Sequence, residues 1–308
     1  MDQRQLRHFV AVAETLHFGK AADRLGMTQP PLSQSIRALE AEIGSPLFLR
    51  TNRSVALTPF GEEWLGPVRA ALDGMEALAP LAQRIRSGDA GRLEVSFVST
   101  ADYSILPALV QRFRQLYPAV ELLLTEATSD VQIATLLEGK GNVGIIIRHA
   151  SAALPMGLSY RRLVSESLIA AVPESWIKQR RITPVKGRLT SSAITSSPLV
   201  VFPRRVSPSF YDLVMDYYAA HGGDVHIIQH AIQMQTIISL VSAGMGIALV
   251  PASMRHLARS GVVYLDLEGK APQLESGIIW RDRDSTATLA NFVRIATASR
   301  VKTHLTGA

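Results

Sequence analysis

Between Thr28 and Gly44 the apolar residues Leu32, Ile36, Leu39 and Ile43 stand at i, i+4, i+7 and i+11, one stripe along a helix. Ser33, Gln34, Arg37 and Glu40 fall off that stripe. Thr28 suits an N-cap, and Pro30 and Pro31 fit a first helical turn, where a missing N–H does little harm. Gly44 suits a left-handed close. Just upstream, Ala21, Ala22 and Leu25 mark a short helix that ends at Gly26, a residue at ease in a left-handed turn. Leu6, Phe9, Val10, Val12, Ala13 and Leu16 mark an earlier helix, interrupted at His17-Phe18-Gly19. Two arrangements fit this spacing. One is a three-helix bundle with a solvated third helix. The other is a helix-turn-helix whose third helix lies in the major groove, where Gln pairs with adenine edges, Ser with either base and Arg with guanine.

Next, Pro46-Leu47-Phe48-Leu49-Arg50 and Val55-Ala56-Leu57-Thr58 flank the polar Thr51-Asn52-Arg53-Ser54. This predicts a hairpin with Arg50 and Arg53 at or near its tip. Such a wing sets cations against phosphates or into a minor groove; the plainer reading is two ordinary surface arginines. Charge does not decide the matter. The 308 residues carry a net charge of +6. Residues 1–58 hold seven Lys/Arg against five Asp/Glu, residues 59–90 hold three against five, and the surplus lies beyond residue 90.

The run from Ala21 to Gly61 resembles the N-terminal domain of LysR-type transcriptional regulators, without a gap. The match is carried by Ala21-Ala22, Leu25, Thr28-Gln29-Pro30, Leu32-Ser33, Ile36, Leu39-Glu40, Leu47-Phe48, Arg50 and Thr58-Pro59-Phe60-Gly61. The resemblance implies a winged helix-turn-helix DNA-binding domain over 1–58, with the helix-turn-helix at 18–37. It also implies base or phosphate contacts by Gln29, Pro30, Pro31, Ser33, Gln34, Arg50 and Arg53. The outward face of the third helix adds Arg37. Position 34 is often basic in the family, so Gln34 is a departure that bears on half-site preference.

Residues 59–90 read as a linker helix and hinge. Thr58 can cap it and Pro59 can take its first position. Trp64, Val68, Ala71, Met75, Leu78, Ala82 and Ile85 then repeat in steps of four and three, a heptad seam. The alternative is a helix packed on its own globular domain. The resemblance implies dimerisation through this seam by Trp64, Val68, Ala71, Met75, Leu78 and Ala82. Pro67, Gly74 and Pro80 depart from a good long helix, and Pro80 predicts a kink or an early end. Ser87-Gly88-Asp89-Ala90-Gly91 reads as the hinge.

From residue 91 to 308, strands alternate with helices. Leu93–Val98, Val120–Thr125 and Val143–Ile147 read as strands around helices at Leu106–Tyr117 and Val131–Glu138. A second set follows: strands Ser167–Val172, Leu199–Phe202, Val225–Ile228 and Ile247–Val250, with helices Ser209–His221 and Met234–Ala243. The alternation predicts an α/β architecture with a largely parallel sheet in two lobes. The resemblance implies an effector-binding domain folded like periplasmic binding proteins, with the ligand between lobes. Lobe I takes 91–162 and 269–308 and lobe II takes 163–268, with crossings near Arg161–Ser165 and Gly269–Ser276.

Ligand contacts belong on loops at strand ends, where helix N-termini offer N–H groups to an anion. Ser99-Thr100-Ala101, Ala127-Thr128-Ser129 and Phe202-Pro203-Arg204-Arg205 fit. Ser99 and Thr128 are expected to hold a carboxylate and Phe202 to wall the site, with Thr100, Arg148, Pro203 and Arg204 completing the set. The alternative for Ser99, Thr128 and Ser209 is that they only cap helices. The stretch Phe202-Pro203-Arg204 to Pro208-Ser209-Phe210 and the Thr128 to Gln132 spacing resemble the branch that answers to metabolites of aromatic degradation. That implies an aromatic or other organic acid; an amino acid or another non-aromatic metabolite is the alternative.

Other classes find little support. With no cysteine, disulfide scaffolds, thiolate zinc sites, iron–sulfur clusters and cysteine nucleophiles are excluded. There is no G-x-S-x-G elbow, Walker A run or H-E-x-x-H motif. His226 and His230 are four apart but on a strand and loop, and Gly244-x-Gly246 lacks the third glycine of a dinucleotide site. No enzyme, cofactor or metal is therefore expected. No signal peptide or membrane span is read, which predicts a soluble cytoplasmic protein. A solute-binding protein for uptake would need a secretion signal and no helix-turn-helix. The expected partners are double-stranded promoter DNA carrying an interrupted dyad, an anionic small molecule, RNA polymerase and the chain itself. The family resemblance makes that self-association a homotetramer, a dimer of dimers.

Overall fold

Asp2 opens the first helix, α1 (Gln3–Thr15), by accepting the Gln5 N–H at 2.8 Å, while the Gln5 side chain accepts the Asp2 N–H at 2.9 Å. The computed structural model describes residues 1–51, 54–148 and 153–298, and the chain divides into two units, Met1–Arg84 and Ile85–Ala308. In the first unit α1 is followed by α2 (Phe18–Arg24) and α3 (Gln29–Ile43). Gly26, at φ 64°, makes the turn between α2 and α3, and Gly44, at φ 72°, closes α3. Strands β1 (Phe48–Arg50) and β2 (Val55–Leu57) pair antiparallel to form the wing. Helix α4 (Pro59–Ser87) follows, capped by the Thr58 hydroxyl, which accepts the Gly61 N–H at 2.9 Å.

Two expectations need correction here. Thr28 occupies the N-cap position of α3 with extended backbone, yet its side chain makes no cap bond. Pro30 and Pro31 hold the two positions whose N–H groups a cap would serve, so the donors do not exist. Helix α4 also does not end early at Pro80: it runs 29 residues in all, from Pro59 to Ser87. Its prolines leave the carbonyls of Glu63 and Glu76 without an i+4 donor, and both residues are exposed, so water can take the bond.

The core of this unit explains how the helices are held. Phe9, Val12, Leu32, Ile36, Leu39 and Leu47 are fully buried. The Phe9 ring lies 5.6 Å from Phe48 and 5.2 Å from Trp64, and Phe18 lies 5.8 Å from Phe48. Val68 and Leu72 of α4 are buried in the same cluster, and Trp64 packs against it. Trp64 and Val68 are therefore core residues of the monomer rather than an open seam, because the first turns of α4 close over α1 and the wing.

The second unit contains β3 (Ala90–Phe97), α5 (Leu106–Leu116), β4 (Ala119–Glu126), α6 (Ser129–Leu137) and β5 (Val143–Arg148). There follow β6 (Leu158–Pro173), α7 (Glu174–Lys178), β7 (Arg188–Leu189), α8 (Ser191–Thr195), β8 (Leu199–Val201) and α9 (Pro208–Ala220). The unit ends with β9 (Ile227–His230), α10 (Met234–Ser242), β10 (Ala248–Pro251), β11 (Val262–Leu267), β12 (Gln273–Arg281) and α11 (Ala287–Thr297). Short 3₁₀ turns lie at Ser99–Tyr103 and Ala252–Leu257.

The long β6 joins two lobes. Its first part pairs with β12 as far as Ser167, and from Leu168 onward it pairs with β10 and β11 instead. One lobe's sheet runs β4-β3-β5-β12-β6, and the other gathers β10, β11 and β7 around the end of β6, with β8 paired to β9 beside them. The sheet is mixed rather than largely parallel. Strand β3 pairs parallel with β4 and β5, but β12 is antiparallel to both its neighbours, and β6 is antiparallel to β10 and β11. The reason is the double crossing: β6 leaves one lobe and β12 returns alongside it in the opposite sense.

Candidate functional site

In the first unit the outward side of α3 carries Gln29, Pro30, Pro31, Gln34 and Arg37, all exposed, with Ser33 half-buried at its edge. They lie opposite the buried Leu32, Ile36 and Leu39. Among the described residues, no internal hydrogen bond or ion pair engages the side chains of Gln29, Gln34 or Arg37. The missing cap bond leaves the Thr28 hydroxyl free of α3 as well. The helix is set by what lies behind it. The Ser35 hydroxyl is 2.8 Å from Nδ1 of the buried His8 on α1. The Glu40 carboxylate accepts the N–H groups of Leu47 and Phe48 and, at 2.7 Å, the Arg50 guanidinium. Arg50 also lies over the Phe18 ring at 4.9 Å. Arg50 is thus an anchor of the wing on α2 and α3 first, and only its remaining N–H groups can meet a phosphate. Arg53 lies outside the described residues.

In the second unit a cavity of about 330 Å³ opens between the lobes. One lobe contributes Val98, Ser99, Thr100, Glu126, Ala127, Thr128, Ser129, Val131 and Ile147. The other contributes Phe202, Val206, Ser207, Ile232 and Gln233. Three helices begin at this cavity, and their N-caps Thr128 (α6), Ser207 (α9) and Gln233 (α10) all line it. None of the three side chains accepts a backbone N–H of its own helix. Three sets of N–H groups are left open around one space, which suits an anion. Thr100 is 2% exposed, and its hydroxyl has no partner; the buried Gln233 Oε1 has none either. Buried polar groups in this state are uncommon and call for an explanation.

The loop before α6 is held from behind. Gln132, fully buried, donates from Nε2 to the carbonyls of Ala127 at 2.7 Å and Ile145 at 3.1 Å, and Oε1 accepts the Ser96 hydroxyl at 3.2 Å. A Cβ at position 144 would stand 2.5 Å from that Oε1, so the close approach needs Gly144. The Ser129 hydroxyl accepts the Ile147 N–H at 3.1 Å and keeps its own proton. The Thr128 hydroxyl donates to Asp130 and offers the cavity only lone pairs.

The cavity thus gathers Ser99, Thr100, Thr128 and Phe202 from the sequence reading and leaves out Arg148, Pro203 and Arg204. The Arg148 guanidinium lies over the Tyr160 ring at 5.0 Å. Arg204 clamps Asp212 through Nε at 2.7 Å and a terminal nitrogen at 3.0 Å on the exposed side of α9. Pro203 precedes the turn and does not reach the cavity. Glu126, Ser207 and Gln233 were missed. The signal for Gln233 and Ser207 is that each directly precedes a helix, the same signal that singled out Thr128. Among the described residues no group of three His, Asp or Glu is placed to hold a metal, and no helix is long and apolar enough to cross a membrane.

Comparison with known proteins covers both units. Residues 3–62 match the family model described as bacterial regulatory helix-turn-helix protein, lysR family, and residues 86–300 match the LysR substrate binding domain. The chain is 55% identical to the HTH-type transcriptional regulator IlvR of Caulobacter vibrioides over 297 residues, 96% of this chain and 98% of that one. It is 35% identical to the HTH-type transcriptional regulator AlsR of Bacillus subtilis, across 98% of both. Among solved structures it is similar to full-length CbnR, a LysR family transcriptional regulator, in complex with its target DNA. The TM-score is 0.80 at 27% identity, covering 96% of this chain and 98% of the other.

Proposed function

The chain belongs to the LysR family of DNA-binding transcriptional regulators, and from that premise we propose that the cavity of its second unit senses a small organic acid and thereby switches promoter activity. The observation that carries this is the convergence of three helix N-caps, Thr128, Ser207 and Gln233, none of whose side chains caps a backbone N–H of its own helix. A carboxylate entering there meets open N–H groups and the hydroxyl protons of Thr100 and Ser129. Val98, Val131, Ile147, Phe202, Val206 and Ile232 surround an apolar body. The volume is at the low end for ligand sites, about 300–1,000 Å³, so the acid is small. An aromatic acid, as the sequence reading has it, is one member of this class. The single aromatic wall, Phe202, serves an aliphatic body equally well.

In this reading α3 reads base edges through Gln29, Pro30, Pro31, Ser33, Gln34 and Arg37, and Arg50 and Arg53 approach phosphates. The exposed part of α4 carries the pairing of two chains. Met75 is 45% exposed and Leu78 60%, with Ala71 and Ala82 on the same stripe. Two copies read half-sites one helical turn apart, and a dimer of dimers spans the interrupted dyad. Closure of the lobes on the acid changes the spacing of the DNA-binding pairs and the access of RNA polymerase, in the cytoplasm where the promoter lies. The acid acts only through its different affinity for the two arrangements. The test is a panel of aliphatic and aromatic acids, with a sugar and a polyamine as contrasts, read by thermal shift of the full chain. Acids are expected to raise the melting temperature of the wild type. Thr100→Ala, which removes an unpartnered hydroxyl donor, is expected to keep promoter binding and blunt the response to acid. An unchanged response in Thr100→Ala, or a shift from the contrasts alone, removes the cavity assignment.

A further inference from the structure

We propose that the acid taken by this cavity also carries a positively charged, hydrogen-donating nitrogen, so that the effector is an α-amino acid with an apolar side chain, its ammonium group held by Glu126 and the Gln233 side-chain carbonyl. The proposal rests on the reading of the cavity as an acid-binding site and adds the second half of its ligand.

The argument is a count of donors against acceptors around one space. A plain carboxylate needs donors only. The cavity supplies them in the open helix ends and in the hydroxyls of Thr100 and Ser129. The same walls also present groups that a carboxylate cannot satisfy. The Gln233 amide is oriented with Oε1 buried and without a partner, and in that orientation it offers the ligand an acceptor. The Thr128 hydroxyl has given its proton to Asp130 and can only accept. Glu126 stands on the exposed side of the cavity lining, and among the described residues no basic group pairs with it. A ligand with a carboxylate alone would leave the amide oxygen orphaned and bring its charge beside Glu126. A ligand that also carries an ammonium group satisfies both.

A second carboxylate reinforces the point. Asp102 sits in the 3₁₀ turn that also supplies Ser99 and Thr100, and among the described residues it too lacks a basic partner. Burial, and then the charge of Glu126, push its carboxyl above the usual aspartate range. The charge of Glu126 is thus felt at Asp102, and among the described residues neither acid has a basic partner. An ammonium ion at Glu126 supplies one. The apolar residues along the rest of the wall, Val98, Val131, Ile147, Phe202, Val206 and Ile232, leave an aliphatic or aromatic side chain as the remainder of the ligand.

Matched triplets test this on the full-length chain by calorimetric titration. L-Leucine, L-methionine and L-phenylalanine are compared with their des-amino acids, 4-methylpentanoate, 4-(methylthio)butanoate and 3-phenylpropanoate, and with their 2-hydroxy acids. At least one amino acid is expected to bind about tenfold or more tightly than both its partners, the loss expected when a charged hydrogen bond is removed. In Glu126→Gln that preference is expected to shrink about tenfold. If in every triplet a des-amino or hydroxy acid binds as tightly as its amino acid, the ammonium group is overturned and the acid site stands. A preference unchanged by Glu126→Gln has the same consequence. If no amino, hydroxy or des-amino acid binds at all, the acid site itself falls, and this inference with it.

Discussion

His8 shows how a single side chain ties the reading helix to its scaffold. Burial, and then Arg4, hold the imidazole below its usual value of 6.5, so it is neutral when it meets Ser35. The unfolded chain takes a proton at higher pH than the folded one. Its contribution is therefore complete above about pH 6.5 and is lost as the pH falls below that value. Urea melts of the first unit are expected to be flat from pH 8 to 7 and to weaken toward pH 5, and His8→Gln is expected to flatten that slope. A slope of the same size in the variant assigns it to another group. The residues of the outward face separate in the same way. Ser33→Ala is expected to cost about 1–3 kcal/mol on the preferred site and little on scrambled duplex, as a base contact does. Arg37→Ala, if it meets a phosphate, is expected to weaken both and lower the salt slope by about 1. Gel shifts at several salt concentrations distinguish the two.

At the scale of elements, α4 does two jobs in two stretches. Its first turns, with Trp64, Val68 and Leu72, complete the core of the first unit. Its later turns present Met75, Leu78, Leu81 and Ile85 to solvent. Val68→Ala is expected to destabilise the first unit by about 2 kcal/mol through a cavity and to leave self-association intact. Met75→Glu with Leu78→Glu is expected to do the reverse, giving monomers in sedimentation with the first unit's melting changed by less than about 0.5 kcal/mol. A stable dimer in the double variant moves the interface elsewhere. Strand β6 is the matching case in the second unit. One strand belongs to both sheets, so movement of one lobe on the other is borne at the change of partner near Leu168.

For the whole molecule the question is whether the cavity and the reading face communicate. Linkage makes the coupling reciprocal: whatever factor the acid changes in promoter affinity, promoter DNA changes in acid affinity. Titrating the acid with and without promoter duplex is expected to give two dissociation constants that differ by about 5–150-fold, the usual range of such couplings. Equal constants remove the switch while leaving both sites in place. Saturation with acid at about 100 times its dissociation constant is also expected to add about 2.7 kcal/mol to the unit that holds the cavity.

Local elements and family membership were legible in the order of residues. The stripe Leu32, Ile36, Leu39 and Ile43, the turn at Gly26 and the paired wing strands are local patterns, and each was readable from spacing because neighbours in the chain are neighbours in space. Ser99, Thr100, Thr128 and Phe202 were readable for a similar reason, since each lies within three residues of a strand's end. What needed the tertiary structure was anything set by distant partners. The charged Arg161-Arg162 and Glu166 hid the first half of β6, whose strand character comes from pairing with β12 more than a hundred residues away. The heptad seam of α4 could not show that Trp64 and Val68 face α1 and the wing, because periodicity names a buried stripe and not what buries it. Strand-end position and charge pointed Arg204, and charge Arg148, toward the cavity, whereas in the fold Asp212 and the Tyr160 ring engage them. The polar half of the cavity, Glu126 with Gln233, exists only because folding brings the end of β4 to the start of α10, and no spacing in a linear chain records that approach.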